Sequence, residues 1–270
     1  MRRIAIVSAM HQELAAVLAR MPDEAPLVRG GREFWIGHLD GHEVVAVLSG
    51  VGKVAAAATA TLLAGEFGVE LAIFTGTAGG LHPEARVGDV VVADALLQHD
   101  MDASPLFPRH EVPFYGTDRF ATDPALSAAL AEAARAVLEE ARRPREVNGA
   151  GAGAGDGAGA GAGLDEATLA AFGISMPRLH RGLVLSGDRF VATAAESDAL
   201  RQRLPEALAV EMEGAALAQV SFDFGLPFAV ARTVSDRADD AAHVDFMRFV
   251  DSVASRYTLA IVRRFLRDFA

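Results

Sequence analysis

Residues 210–220 read VEMEGAALAQV: an apolar strand end, two carboxylates around a methionine, a glycine, and then an alanine-rich run. On an extended chain the side chains of residues i and i+2 project to the same side. Glu211 and Glu213 therefore both face one way just where the chain turns. Two readings are open at this point. One acid caps the helix while the other is solvated, or the pair serves a bound molecule. Under either reading, a strand that passes through a polar, glycine-containing turn into a helix is the repeating unit of a layered α/β fold.

The same grammar recurs outward from that stretch. Strands are expected at 4–9, 33–39, 43–50, 70–76, 89–97, 181–188, 207–212 and 227–236, with Asp40-Gly41 as a tight hairpin turn. Helices are expected at 53–67, 124–143, 194–203, 213–224 and 244–269, the second capped by Thr122 or Asp123 with Pro124 in its first turn. The fold class is thus α/β: a single three-layer domain over 1–270, with a central twisted mixed β-sheet flanked by helices. Residues 148–164, NGAGAGAGDGAGAGAGL, are a different kind of polymer. Alternating Gly and Ala bury little and are costly to order, so an insertion at about 146–164 without structure of its own is expected, interrupting the domain without dividing it.

Composition narrows the function. Lys and Arg total 25 against 36 Asp and Glu, a formal net charge of −11, which disfavours a phosphate-tracking nucleic-acid surface. There are no cysteines, so disulfides, thiolate metal sites and thiol nucleophiles are excluded. The eight histidines show no HExxH-like spacing, and no metal or organic cofactor is expected. MRRIAIVSAM reads as a first strand, not a signal peptide. No apolar run reaches the roughly 18 residues of a membrane span, and a soluble, cytoplasmic protein is expected.

Several strands end in small or polar residues and glycine: SAM (8–10), LSGVGK (48–53), FTGTAGG (74–80), LSGD (185–188), VEMEG (210–214) and TVSD (233–236). In open α/β sheets ligands bind beyond the carboxyl ends of strands, where such residues let a ligand approach the backbone. A shared site is the economical explanation. Each glycine alone reads as an ordinary turn.

Taken together, AMHQE, SGVGKVAAA, TGTAGGL with VGDVVVAD, HDMD, SGDRFV, VEMEGAALA and ARTVSDRAD resemble, in order, the 5′-methylthioadenosine/S-adenosylhomocysteine nucleosidases of the nucleoside phosphorylase and nucleosidase superfamily. The resemblance covers nearly the whole chain except about 103–180. It implies hydrolysis of the N-glycosidic bond of 5′-substituted adenosines, without a cofactor, in a homodimer whose partner's loop around 103–116 completes the site.

Residue roles follow from the resemblance. Glu213 would hold the ribose hydroxyls, with Met212 against the sugar and Arg232 near Glu213. Asp236, oriented by Ser235, would protonate N7 of adenine, because adenine leaves badly as an anion. Glu13 would position and deprotonate the attacking water with help from Thr77. Phe190 would stack on the base and the backbone of Val191 would meet its Watson–Crick edge. Val51 and Phe246 complete the expected substrate contacts. Glu211 is expected to be a hydrogen-bonded acid at the junction. Two other classes stay open: a nucleoside phosphorylase, which needs a basic anion pocket, and a non-catalytic binding protein on the same fold. Against the first, Phe74 and Thr75 stand where related phosphorylases place a phosphate-holding arginine, and Arg189 is the one nearby cation that could serve instead.

Overall fold

The structure is a computed structural model, and it describes residues 2–142, 166–238 and 246–269. The Gly-Ala tract expected at 146–164 lies outside the described residues.

Apolar runs that fill both faces of a strand belong in a sheet covered on both sides. β1 (Arg3–Ser8), β4 (His42–Leu48) and β5 (Leu71–Gly80) are such runs, and β1 pairs in parallel with both of the others. β2 (Ala25–Arg29) and β3 (Arg32–Leu39) extend the sheet beyond β4. The turn between β3 and β4 is the expected Asp40-Gly41 pair, with φ of 44° and 86°.

On the other side of β5 lie β6 (Val90–Gln98), β8 (Leu179–Ser186), β9 (Ala207–Glu211) and β10 (Phe228–Asp236), with the short β7 (Arg119–Ala121) beside β6. The pairings β5 with β10, β10 with β6, β6 with β8, β8 with β9 and β9 with β5 close into a ring. Ring closure brings the carboxyl end of β9 against that of β5, where Val210 pairs with Gly79. It is this meeting that gathers strand ends into one place.

Helices cover both faces. α1 (His11–Leu18), α3 (Pro124–Arg142) and α8 (Ser255–Asp268) pack on one side around Leu14, Leu130, Tyr257, Ile261 and Phe265. α2 (Lys53–Glu66) and α6 (Gly214–Phe224) pack on the other around Ala60, Leu63, Phe74 and Leu217. α5 (Ala194–Arg203) closes a third apolar cluster with Leu81, Val191 and Val210. Of the two cap candidates for α3, Asp123 does the work: its Oδ1 accepts from the N–H groups of Ala125 and Leu126, each at 2.9 Å.

Some expectations are revised. β5 runs to Gly80, past the expected end at 76, because its glycines lie in the strand where neighbours press on the backbone. A Cβ on Gly80 would sit 2.6 Å from the carbonyl oxygen of Ala85, and one on Gly79 would sit 2.9 Å from Ala238 Cβ. β2 carries Pro26 and mostly exposed residues, so it shows no alternation to detect. β7 is three residues long and α4 (Glu166–Ala171) six, too short for a periodic signal. The terminal helix runs without a break over its described residues, but not as one regular α-helix: α7 (Phe246–Phe249) passes through a π-helical turn at Val250–Ala254 into α8.

Gly80→Ala tests this reading of β5. With a backbone carbonyl 2.6 Å from the new Cβ, the chain has to shift, and overpacking of this kind costs about 1–3 kcal/mol. The expected result is a lower urea midpoint at unchanged slope, measured by equilibrium unfolding.

Candidate active site

A cavity opens where β1, β5, β9 and β10 end, with about 670 Å3 unoccupied by protein atoms, its mouth included. The three acids singled out by sequence, Glu13, Glu213 and Asp236, all line it, as do Val51, Thr77, Phe190, Val191, Met212, Ser235 and Phe246.

Glu13 sits at the third position of α1, 1% exposed. Its Oε2 accepts from the N–H groups of Ala9 and Met10 at 3.1 and 3.0 Å, which anchors the start of the helix. Its Oε1 accepts from both the N–H and the hydroxyl of Thr77, each at 3.0 Å. Gly76 makes this approach possible, since a Cβ there would lie 3.0 Å from Oε1. Burial raises the pKa of Glu13, and the positive charge of Arg232 opposes that rise only in part.

The two acids at the β9 to α6 junction divide their tasks. The carboxylate of Glu211 accepts from the N–H groups of Glu213 and Gly214 at 3.2 and 2.9 Å and from the hydroxyl of Ser186, so it ties down the first turn of α6. Glu213 occupies the N-cap position but makes no side-chain cap. Its Oε1 accepts instead from the N–H of Gly52 at 2.8 Å. Burial, and then the negative charge of Glu211, push the pKa of Glu213 up to about 8.

Arg232, expected near Glu213 and among the substrate contacts, lies close enough for its charge to act on Glu213, but its direct bonds go to Glu211 and it stands outside the cavity lining. It is 1% exposed and does not line the cavity. Its Nη2 donates to Glu211 Oε2 at 2.8 Å, its Nη1 donates to the Phe74 carbonyl at 3.2 Å, and its guanidinium lies 4.0 Å from the centre of the Phe74 ring. Arg232 lies on β10 opposite Gly76, and that register aims it behind the cavity.

Asp236 ends β10 and is 7% exposed. Its Oδ2 accepts from the Ser235 hydroxyl and its Oδ1 from the Ala238 N–H, both at 2.7 Å. The Ser235 hydroxyl thus bonds this carboxyl directly. At the mouth, Phe190 is 42% exposed, and its ring meets that of Phe246 edge-on with centroids 6.0 Å apart. Arg189 also lines the cavity, and its guanidinium is paired with Glu196 on α5. Among the described residues, no three His, Cys, Asp or Glu side chains cluster so as to hold a metal ion. No helix among them is long and apolar enough to cross a membrane.

Sequence reasoning missed three contributors. The Gly52 N–H reaches Glu213 because Gly52 has a φ of 95°, and SGVG signals only a turn. Ser186, in LSGD, was noted as a strand end but not as a partner of Glu211. Ala238, whose N–H holds Asp236, carries no sequence signal at all.

The Phosphorylase superfamily profile matches residues 3–267. The 5′-methylthioadenosine/S-adenosylhomocysteine nucleosidase of Geobacillus thermodenitrificans is 34% identical over 253 residues, covering 93% of this chain and 91% of that one. The chain belongs to this nucleosidase family. Its fold matches the Neisseria meningitidis family enzyme, solved with methylthio-immucillin-A, at a TM-score of 0.81 and 30% identity over all of both chains. Futalosine hydrolase of Helicobacter pylori matches at a TM-score of 0.79 and 27% identity, over 99% of this chain and 98% of that one.

Glu213 carries a pH signature. Glu213 is protonated in both folded and unfolded states below its ordinary value of 4.5, and between 4.5 and about 8 only the folded state keeps the proton. Stability of the ligand-free protein therefore falls as pH rises across that window, and the loss is complete above it. Melting temperatures between pH 5 and 9 should decline more steeply for wild type than for Glu213→Gln.

Proposed function

We propose that this chain hydrolyses the N-glycosidic bond of 5′-substituted adenosines, releasing adenine and the 5′-substituted ribose. The observation that carries this reading is the convergence of Glu13, Glu213 and Asp236 on one cavity, each held by different partners, with an aromatic ring at its mouth.

Asp236 gives its proton to N7 of the base, so the electrons of the breaking C1′–N9 bond leave on neutral adenine. Phe190 stacks on the base and the Val191 backbone meets its edge. Glu213, accepting from the sugar's vicinal hydroxyls, holds the ribose, and negative charge on it favours the developing oxocarbenium ion. Glu13 orients a water with Thr77 and takes its proton as the oxygen bonds to C1′. A buried carboxyl with a raised pKa is a stronger base than a free one, which suits that step. This is the paired-carboxylate logic of glycoside hydrolysis applied to a nitrogen leaving group. Arg232 supports the reaction from behind, through Glu211 and through its charge near Glu13.

The runner-up is phosphorolysis. It needs a cation free to hold phosphate at the nucleophile side. Arg189 is engaged by Glu196, Arg232 by Glu211, and the position beside Thr77 is taken by a carboxylate, which repels phosphate. A homodimer in the cytoplasm, with the partner's 103–116 loop near the cavity, belongs to the same proposal. Leu106 and Phe114 support it, because apolar side chains 84% and 93% exposed on one loop suit a protein contact.

The test is product analysis with methylthioadenosine, S-adenosylhomocysteine, 5′-deoxyadenosine and futalosine, with and without phosphate. Adenine and free sugar are expected at equal rates in both buffers from at least one of the three adenosines. Phosphate-dependent formation of a sugar 1-phosphate overturns the hydrolase reading, and release of base from futalosine alone moves the substrate class.

A further inference from the structure

Asp236 does not hold its own position. One carboxyl oxygen depends on the N–H of Ala238 at 2.7 Å, and Ala238 is a fully buried alanine with a φ of 50°. Residues with a Cβ rarely adopt that left-handed conformation, and one that does is held there by its surroundings. Two neighbours do the holding. Gly79 leaves room, since a Cβ there would lie 2.9 Å from Ala238 Cβ and 3.0 Å from Asp236 Oδ1. The hydroxyl of Ser197, 0% exposed on α5, donates to the Ala238 carbonyl.

α5 is itself fastened to the other half of the base site. Thr193 caps it by accepting from the Glu196 N–H, and Glu196 Oε2 accepts in return from the Thr193 hydroxyl and the Ala192 N–H. Glu196 also pairs with Arg189. Residues 189 and 192 flank Phe190 and Val191, the residues that would stack on and meet the edge of the base. One ten-residue helix thus grips the base-recognition segment at its first turn, and one residue after Glu196 it grips the segment that presents the acid.

We propose that Ser197 is a positioning residue for Asp236: its hydrogen bond to the Ala238 carbonyl fixes the Ala238 N–H on the carboxyl and sets the distance between acid and base-stacking segment. The inference rests on the reading of Asp236 as the group that protonates N7. A hydroxyl that merely satisfied a buried carbonyl would affect stability alone. A hydroxyl that places the acid affects the step in which N7 takes a proton, and misplacement by about 1 Å costs about 10²-fold in rate.

The experiment compares wild type, Ser197→Ala and Asp236→Asn in steady-state turnover of methylthioadenosine, and in calorimetric binding of adenine and 7-deazaadenine, which has C–H in place of N7. Wild type is expected to favour adenine, and Asp236→Asn to lose most of that preference. Ser197→Ala is expected to lower kcat about 10- to 100-fold with KM nearly unchanged, and to shrink the adenine preference while binding 7-deazaadenine as wild type does. Ser197→Cys, which keeps the shape but donates weakly, substitutes if the alanine variant does not fold, and the same direction is expected. If wild type discriminates and the Ser197 variant matches it in both preference and kcat, the positioning role is wrong and the Asp236 assignment stands. If wild type does not discriminate, the Asp236 assignment fails and the inference falls with it.

Discussion

Glu211 and Arg232 meet at 2.8 Å with both side chains 2% exposed, and the geometry of the site depends on that contact. Removing two charges from water costs several kcal/mol per ion, and only close geometry with further hydrogen bonds offsets it. Both partners are well supplied. Glu211 accepts from Ser186 on β8, from the Glu213 and Gly214 N–H groups at the start of α6, and from two nitrogens of Arg232 on β10. Arg232 in turn donates to a carbonyl of β5. The pair therefore joins four strands of the closed ring to the helix that follows one of them.

That arrangement explains why two acids stand so close together. Glu211 neutralises the arginine and satisfies the helix start, which leaves Glu213 free of any capping duty and able to face the cavity. The cost is burial first and repulsion second: a carboxyl removed from water beside the charge of Glu211 is held protonated up to about 8. Strain and burial at a functional centre are thus supported by a satisfied ion pair behind it.

The layered α/β fold was legible because its strands are apolar on both faces and its helices rich in alanine. The two acids of VEMEG stood out from the strand-to-helix pattern, whereas Glu13 and Asp236 were legible only through the ordered resemblance of motifs to the nucleosidase family. What stayed hidden depends on tertiary register. Whether Arg232 reaches Glu213 or Glu211 is decided by its pairing opposite Gly76, and residue spacing does not encode that. Backbone donors such as the Gly52 and Ala238 N–H groups leave no side-chain signature. The extension of β5 through TAGG was hidden for the opposite reason: glycine signals a turn locally, whereas here it serves close approach within a strand.

The division of labour between the two acids is tested most directly by one ratio, kcat/KM for a riboside over that for its 2′-deoxyriboside, in Glu211→Gln and Glu213→Gln. The ratio should collapse toward unity in Glu213→Gln, which removes the carboxylate that lines the cavity. In Glu211→Gln it should stay near the wild-type value while the unfolding free energy falls by about 3–5 kcal/mol as Arg232 loses its charge partner. A ratio preserved in Glu213→Gln, or lost in Glu211→Gln with stability unchanged, would contradict the account.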